Sequence, residues 1–141
     1  MSATLKSNKK AQLVTPLEEG CNPEKKRGQD RIDVLNLQSS GLDKDPRFLD
    51  WIKLLQKQRP NAKRNLDQFP ATVDTLQKRV ALLKRFVSQG PILFLGDFDL
   101  TALALGYHHP RTELTVIDID QDLLNFISQA ASTHDLLINT I

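Results

Sequence analysis

PILFLGDFDLTALALGYHHPRTELTVIDIDQDLLNFISQ, residues 91–129, decides the fold. Ile92-Leu93-Phe94-Leu95 is a short apolar run with no polar alternation, which reads as a strand buried on both faces, as parallel strands are. Leu114-Thr115-Val116-Ile117 repeats the pattern and ends at Asp118. Between them, Leu100 to Leu105 reads as a short helix closed by Gly106, and Tyr107 to Thr112 as a surface loop. After Asp120, which can cap a helix, Leu123, Leu124, Ile127 and Ala131 share one helical face. Strand and helix therefore alternate, and the expected class is α/β with parallel strands and right-handed crossovers.

Working outward, Leu136 to Ile141 reads as the start of a third strand. A doubly wound sheet needs several more, so the chain is expected to be a fragment, a truncated product or half of an assembly. Upstream, Val73, Leu76, Val80, Leu83 and Val87 recur three and four apart, with Thr72 as N-cap, Asp74 in the first turn, and Lys84-Arg85 and Gly90 at the end. An earlier helix carries Phe48, Trp51, Ile52 and Leu55 and stops at Arg59-Pro60. Residues 1–31 are polar and lysine-rich with little apolar periodicity, so they are expected to form a mobile tail. The expected organisation is a tail (1–31), a helical segment (32–90) and an incomplete Rossmann-like α/β domain (91–141).

The net charge of +2 hides a segregation. Residues 53–85 carry nine Lys/Arg against Asp67 and Asp74, whereas residues 91–141 carry seven acids against Arg111 alone. The basic residues follow helical spacing without interleaved aromatics, so they read as a solvated helix face, and nucleic acid is not an expected partner. A single cysteine, Cys21, cannot form an internal disulfide or a zinc site alone. No run is long and apolar enough for a membrane span, and MSATLKSNKK lacks a secretory core, so a cytoplasmic setting is expected.

The strand ends, where ligands of such sheets sit, read Gly96-Asp97-Phe98-Asp99 and Asp118-Ile119-Asp120. A dinucleotide site would place G-x-G-x-x-G at the first turn, but only Gly96 is present, and carboxylates there would repel a phosphate. An acid closing the second strand, Asp118, can accept hydrogen bonds from ribose hydroxyls. A sulfonium nucleoside such as S-adenosylmethionine, or its decarboxylated form, meets both demands, and a polycationic amine would be drawn to the same edge. Asp99 and Asp120 can equally cap the helices that follow them. Asp97 has no evident capping duty, and Asp97 and Asp118 are the acids read as functional. His108 and His109, adjacent in sequence, point apart and read as surface residues.

Together, Asp67-Gln68-Phe69-Pro70-Ala71-Thr72, Arg79-Val80, ILFLGDFDLTALAL (92–105) and LTVIDIDQDLLNFI (114–127) resemble the branched-chain polyamine synthases, the bis(aminopropyl)spermidine synthases. The resemblance covers residues 59 to 129, about half the chain. It implies a Rossmann-like, methyltransferase-type fold and transfer of an aminopropyl group from decarboxylated S-adenosylmethionine to a polyamine such as spermidine, by a homodimer without a metal. The family's G-D-D-D-L signature stands here as Gly96-Asp97-Phe98-Asp99-Leu100, with Phe98 in place of the middle acid. Its V-x-D-I-D pattern is intact as Val116-Ile117-Asp118-Ile119-Asp120. The resemblance implies Asp97 and Asp99 on the acceptor amine, Gly96, Asp118 and Asp120 on the donor, and Asp67 and Gln68 closing over the substrate. A simple turn at Asp67-Gln68 is the structural alternative.

Three other readings stand beside it. One is a non-catalytic or degenerate nucleoside-binding fragment. A second is a methyltransferase-like enzyme using intact S-adenosylmethionine. The third rests on Asp97-Phe98-Asp99-Leu100-Thr101, which matches the D-x-D-x-T opening of haloacid-dehalogenase-like phosphatases, although no Lys follows Lys84 to complete that site.

Overall fold

The computed structural model describes residues 45–141. The mobile tail expected at 1–31, and Cys21 with it, lie outside them. Helix α1 (Pro46–Gln58) starts at Asp45, whose Oδ1 accepts the Arg47 and Phe48 N–H groups, with Pro46 at the first helical position. That proline has no N–H to leave unpaired. A 3-10 turn (Arg64–Leu66) follows, then α2 (Val73–Leu83), capped by the Thr72 hydroxyl on the Thr75 N–H at 3.2 Å. The Thr72 cap falls where the sequence puts it.

Strand β1 (Ile92–Leu95), helix α3 (Thr101–His108), strand β2 (Leu114–Ile117), helix α4 (Gln121–Thr133) and strand β3 (Ile138–Thr140) complete the chain. The strands form a parallel sheet in the order β1-β2-β3. Ile92 aligns with Leu114 and Ile138, and Phe94 with Val116 and Thr140. Aligned residues of a parallel sheet share a face, and this face carries the core. Leu114 and Val116 are fully buried there with Leu103 and Leu105 of α3 and Leu123 and Ile127 of α4. The same core takes in Phe48 and Ile52 of α1 and Leu76 and Val80 of α2, so the amphipathic upstream helices bury their stripes on the α/β unit.

Two expectations are corrected. The strands are not buried on both faces: Leu93 is 55% exposed, Leu95 78% and Ile117 38%. An apolar run tells that a strand is suited to burial on both sides, but not whether both sides are covered, and no described helix covers this one. The second correction concerns α3, which runs through Gly106 to His108. Tyr107 and His108 therefore belong to a helix rather than a loop. Their rings pack on Phe48, at 5.2 and 4.4 Å between centroids, and burial lowers the His108 pKa. His108 is thus a packing residue, not a surface one. Trp51 donates its indole N–H to His134 Nε2 at 2.6 Å, which ties α1 to the end of α4.

Gly106 is a point of close approach and not a stop signal. A Cβ there would lie 3.4 Å from Leu136 Cδ1, 3.5 Å from Ile138 Cδ1 and 3.6 Å from Leu114 Cδ1. One methyl fits in ordinary contact, and alanine removes the helix penalty of glycine. Gly106→Ala is therefore expected to stabilise the chain by about 0.5–1 kcal/mol, and Gly106→Leu to destabilise it by overpacking. Thermal melts of both variants check this; a lower midpoint for the alanine variant would show that the helix cannot accept even a methyl at that spacing.

Candidate functional site

The carboxyl ends of β1 and β2 open into a cleft of about 590 Å³. Gly96, Phe98 and Asp99 line it from the turn after β1, and Asp118 and Ile119 from the turn after β2. Asp67, Gln68 and Phe69 close it from the segment before α2, and Arg79 reaches in from α2 itself. Of the residues that sequence reasoning selects, Gly96, Asp99, Asp118, Asp67 and Gln68 are thus brought to one cavity. Asp97 and Asp120 stand behind its wall.

Backbone geometry explains the split. Gly96 adopts φ +74 and Leu100 φ +69, both in the left-handed region. The chain thereby makes a corner after β1 and a second before α3, and Asp97 is folded inward beneath the helix. Its Oδ1 accepts the Thr101 N–H at 2.8 Å and its Oδ2 the Ala102 N–H at 2.9 Å. Leu100, the N-cap, has no side chain able to do this. Asp97 is therefore the residue that satisfies the helix N-terminus, contrary to the expectation that it has no capping duty, while Asp99 does not cap the helix backbone. Asp99 accepts the Thr101 hydroxyl at 3.0 Å and forms an ion pair with Arg79.

Asp120 has a fully buried side chain and caps α4 by accepting the Asp122 N–H at 3.2 Å. Lys63 Nζ lies 2.6 Å from its Oδ1, and Gln68 Nε2 donates to its Oδ2 at 2.8 Å. Gln68 in turn accepts the Lys63 N–H at 2.8 Å, so the Asp67-Gln68 turn is fastened to the end of β2. Burial pushes the Asp120 carboxyl up, but the hydrogen bonds from Lys63 and Gln68 outweigh it and hold the group below its ordinary value. Asp118 remains half-buried at the cleft wall and accepts the Asp120 N–H at 2.9 Å.

Sequence reasoning missed Arg59, Lys63 and Arg79 as participants. Arg59 lays its guanidinium 4.0 Å over the Phe98 ring and donates to the Phe98 carbonyl at 2.5 Å. The basic residues that read as a solvated face thus supply three cations to the acidic edge. The signal was present in the opposed charges of residues 53–85 and 91–141, which complement one another across the fold. Among the described residues no cluster of three or more His, Cys, Asp or Glu could hold a metal ion, and no helix is long and apolar enough to cross a membrane.

Comparison with known proteins gives one consistent answer. A family model described as the branched-chain polyamine synthase A C-terminal domain matches residues 47–141. The N(4)-bis(aminopropyl)spermidine synthase of Methanocaldococcus jannaschii is 36% identical over 89 residues, covering 60% of this chain and 25% of that protein. The protein of the same name from Thermococcus kodakarensis is 33% identical over 92 residues, covering 64% and 26%. The crystal structure of the branched-chain polyamine synthase from Thermus thermophilus, in complex with N4-aminopropylspermidine and 5'-methylthioadenosine, superposes with a TM-score of 0.57 at 29% identity, over 75% of this chain and 29% of that one. The chain spans about a quarter of the length of the curated relatives it matches.

Asp97 also gives the site a pH signature. Burial pushes its carboxyl up to about 7, against the lowering effect of the Ala102 and Thr101 N–H groups. In the unfolded chain the group titrates near about 3.9. Between those values the folded state keeps the proton and the unfolded state has lost it, so stability falls as pH rises through this window. The full cost, on the order of 4 kcal/mol, is present only above the folded-state value. Urea unfolding of the chain and of Asp97→Asn across this range is expected to show the wild type losing stability relative to the variant as pH rises. A pH-independent difference would place the carboxyl in a more solvated setting.

Proposed function

The chain belongs to the branched-chain polyamine synthase A C-terminal domain family, and from that membership we propose that its cleft is the donor-binding edge of an aminopropyltransferase site. The observation that carries the reading is the cavity at the ends of β1 and β2, walled by Asp99 and Asp118 and lacking the glycine loop a pyrophosphate needs. A cationic, ribose-bearing nucleoside suits such a wall, and decarboxylated S-adenosylmethionine has both properties. The matched crystal structure holds 5'-methylthioadenosine, the thioether that such a donor leaves behind.

In the proposed reaction the neutral nitrogen of a polyamine such as spermidine attacks the aminopropyl carbon next to the sulfonium. The C–N bond forms as the C–S bond breaks, and the sulfur keeps the bonding pair as 5'-methylthioadenosine. The proton on the attacking nitrogen leaves to a base. Asp118 accepts the ribose hydroxyls, Asp99 holds an ammonium group of the acceptor, and Asp67 adds negative charge at the exposed rim. Asp97 and Asp120 act as positioning residues in this scheme: one sets the start of α3 and the other fastens the Gln68 turn to α4. The enzyme so described is cytoplasmic and homodimeric.

A nucleoside-binding role without transfer is the second reading. It is favoured by Phe98, whose ring stacks under Arg59 and is 8% exposed at the position where the resemblance expects an acid.

Titration calorimetry with 5'-methylthioadenosine, decarboxylated and intact S-adenosylmethionine, and spermidine tests both. The decarboxylated donor and 5'-methylthioadenosine are expected to bind, and Asp118→Asn to weaken each by roughly tenfold, about the worth of a charged hydrogen bond. Asp99→Asn is expected to weaken spermidine alone. Folded protein that binds no nucleoside overturns the proposal, tighter binding of intact S-adenosylmethionine turns it toward methyl transfer, and nucleoside binding without spermidine binding selects the second reading.

A further inference from the structure

Asp99 is the cleft carboxylate least free to meet a ligand. Its side chain is 13% exposed, its Oδ1 accepts the Thr101 hydroxyl at 3.0 Å and its Oδ2 is paired with the Arg79 guanidinium. Arg79 differs from Lys63, whose partner Asp120 is fully buried and has no access to the cleft. Arg79 is 49% exposed on α2 and borders two cavities that meet at Asp99. One is the cleft. The other is a recess of about 260 Å³ between α2 and β1, lined by Leu82, Leu83, Phe94, Asp97 and Thr101. An arginine head group can leave Asp99 for the mouth of that recess, which Arg79 already borders, while its methylenes lie along the apolar lining.

We propose that Arg79 is a tethered competitor of the cationic amine: its guanidinium occupies the Asp99 carboxylate in the empty site and is displaced into the recess when a polyamine ammonium enters. The inference rests on the reading of Asp99 as the acceptor anchor. A carboxylate left bare in the cleft would attract any small cation, whereas one held by a half-exposed arginine yields to a ligand with several positive charges. Polyamines of higher charge displace the arginine; singly charged amines and alkali cations do not. Half-exposed ion pairs are weak enough for such exchange to be reversible. Arg79 is in this sense a specificity-determining residue that never touches the reacting atoms.

Calorimetric titration of the full chain with spermidine and with propylamine in low-salt buffer provides the test. Arg79→Gln is expected to bind spermidine about fivefold more tightly, the scale of a partly exposed ion pair, and to gain measurable affinity for propylamine. Arg79→Lys, which keeps the charge but loses the planar fork, is expected to fall between them. Far-ultraviolet circular dichroism melts establish that each variant is folded. If the wild type binds spermidine, and Asp99→Asn weakens it, but Arg79→Gln leaves affinity unchanged or lowers it, the competitor role is overturned while the acceptor reading stands. If Asp99→Asn leaves spermidine binding untouched, or the folded wild type and every variant bind no spermidine, the acceptor reading itself fails and the competitor role with it.

Discussion

A carboxylate taken out of water must be met by donors, and the rest of this structure is arranged around two that are. Asp97 and Asp120 are each 2% exposed. Both sit where a helix begins, so unpaired N–H groups and the positive end of a helix dipole are at hand. Asp97 is satisfied by backbone alone and holds α3 against β1. Asp120 needs more, and draws Lys63 and Gln68 across from the segment before α2. That demand fastens the Asp67-Gln68 turn over the sheet edge, where it forms one wall of the cleft.

The pairing also separates the carboxylates behind the cleft wall from those that line it. Asp118 and Asp99 reach the cleft because their neighbours at 97 and 120 take the inward positions. Phe98 fits the same scheme. Where the resemblance expects an acid, an aromatic ring lies under Arg59, and a guanidinium over a ring face is favourable without a compensating anion. Positive charge therefore persists beside an edge otherwise acidic. Its partner here is a ring quadrupole rather than an anion.

Much of this was legible in the residues. The alternation of Ile92–Leu95, Leu114–Ile117 and the amphipathic run after Asp120 determines an α/β order, and Thr72 and Asp120 mark helix starts that the structure reproduces. Legibility ended where direction mattered. Asp97 and Asp99 are two residues apart in the same motif, and nothing in their spacing says which turns inward; the left-handed backbone at Leu100 decides it. Gly106 could be a helix stop or a close contact, and only the distance of α3 from Leu114 and Ile138 distinguishes them. The cations were misread for a related reason: helical spacing tells that Arg79 and its neighbours share a surface, but not that an acidic edge faces it.

The corners that shape the cleft have one more consequence. Asp67, Gly96 and Leu100 all hold left-handed backbone, at φ +50, +74 and +69, and for the two with side chains that conformation costs about 1–2 kcal/mol each. Leu100 is fully buried in the core, so its corner is held by packing, whereas Asp67 stands exposed at the rim. The two sides of the cavity are therefore secured by different means, one by core packing and the other by the Gln68 and Lys63 contacts to Asp120. Whatever enters the cleft thus meets one wall backed directly by the core and another that reaches the sheet through a buried carboxylate.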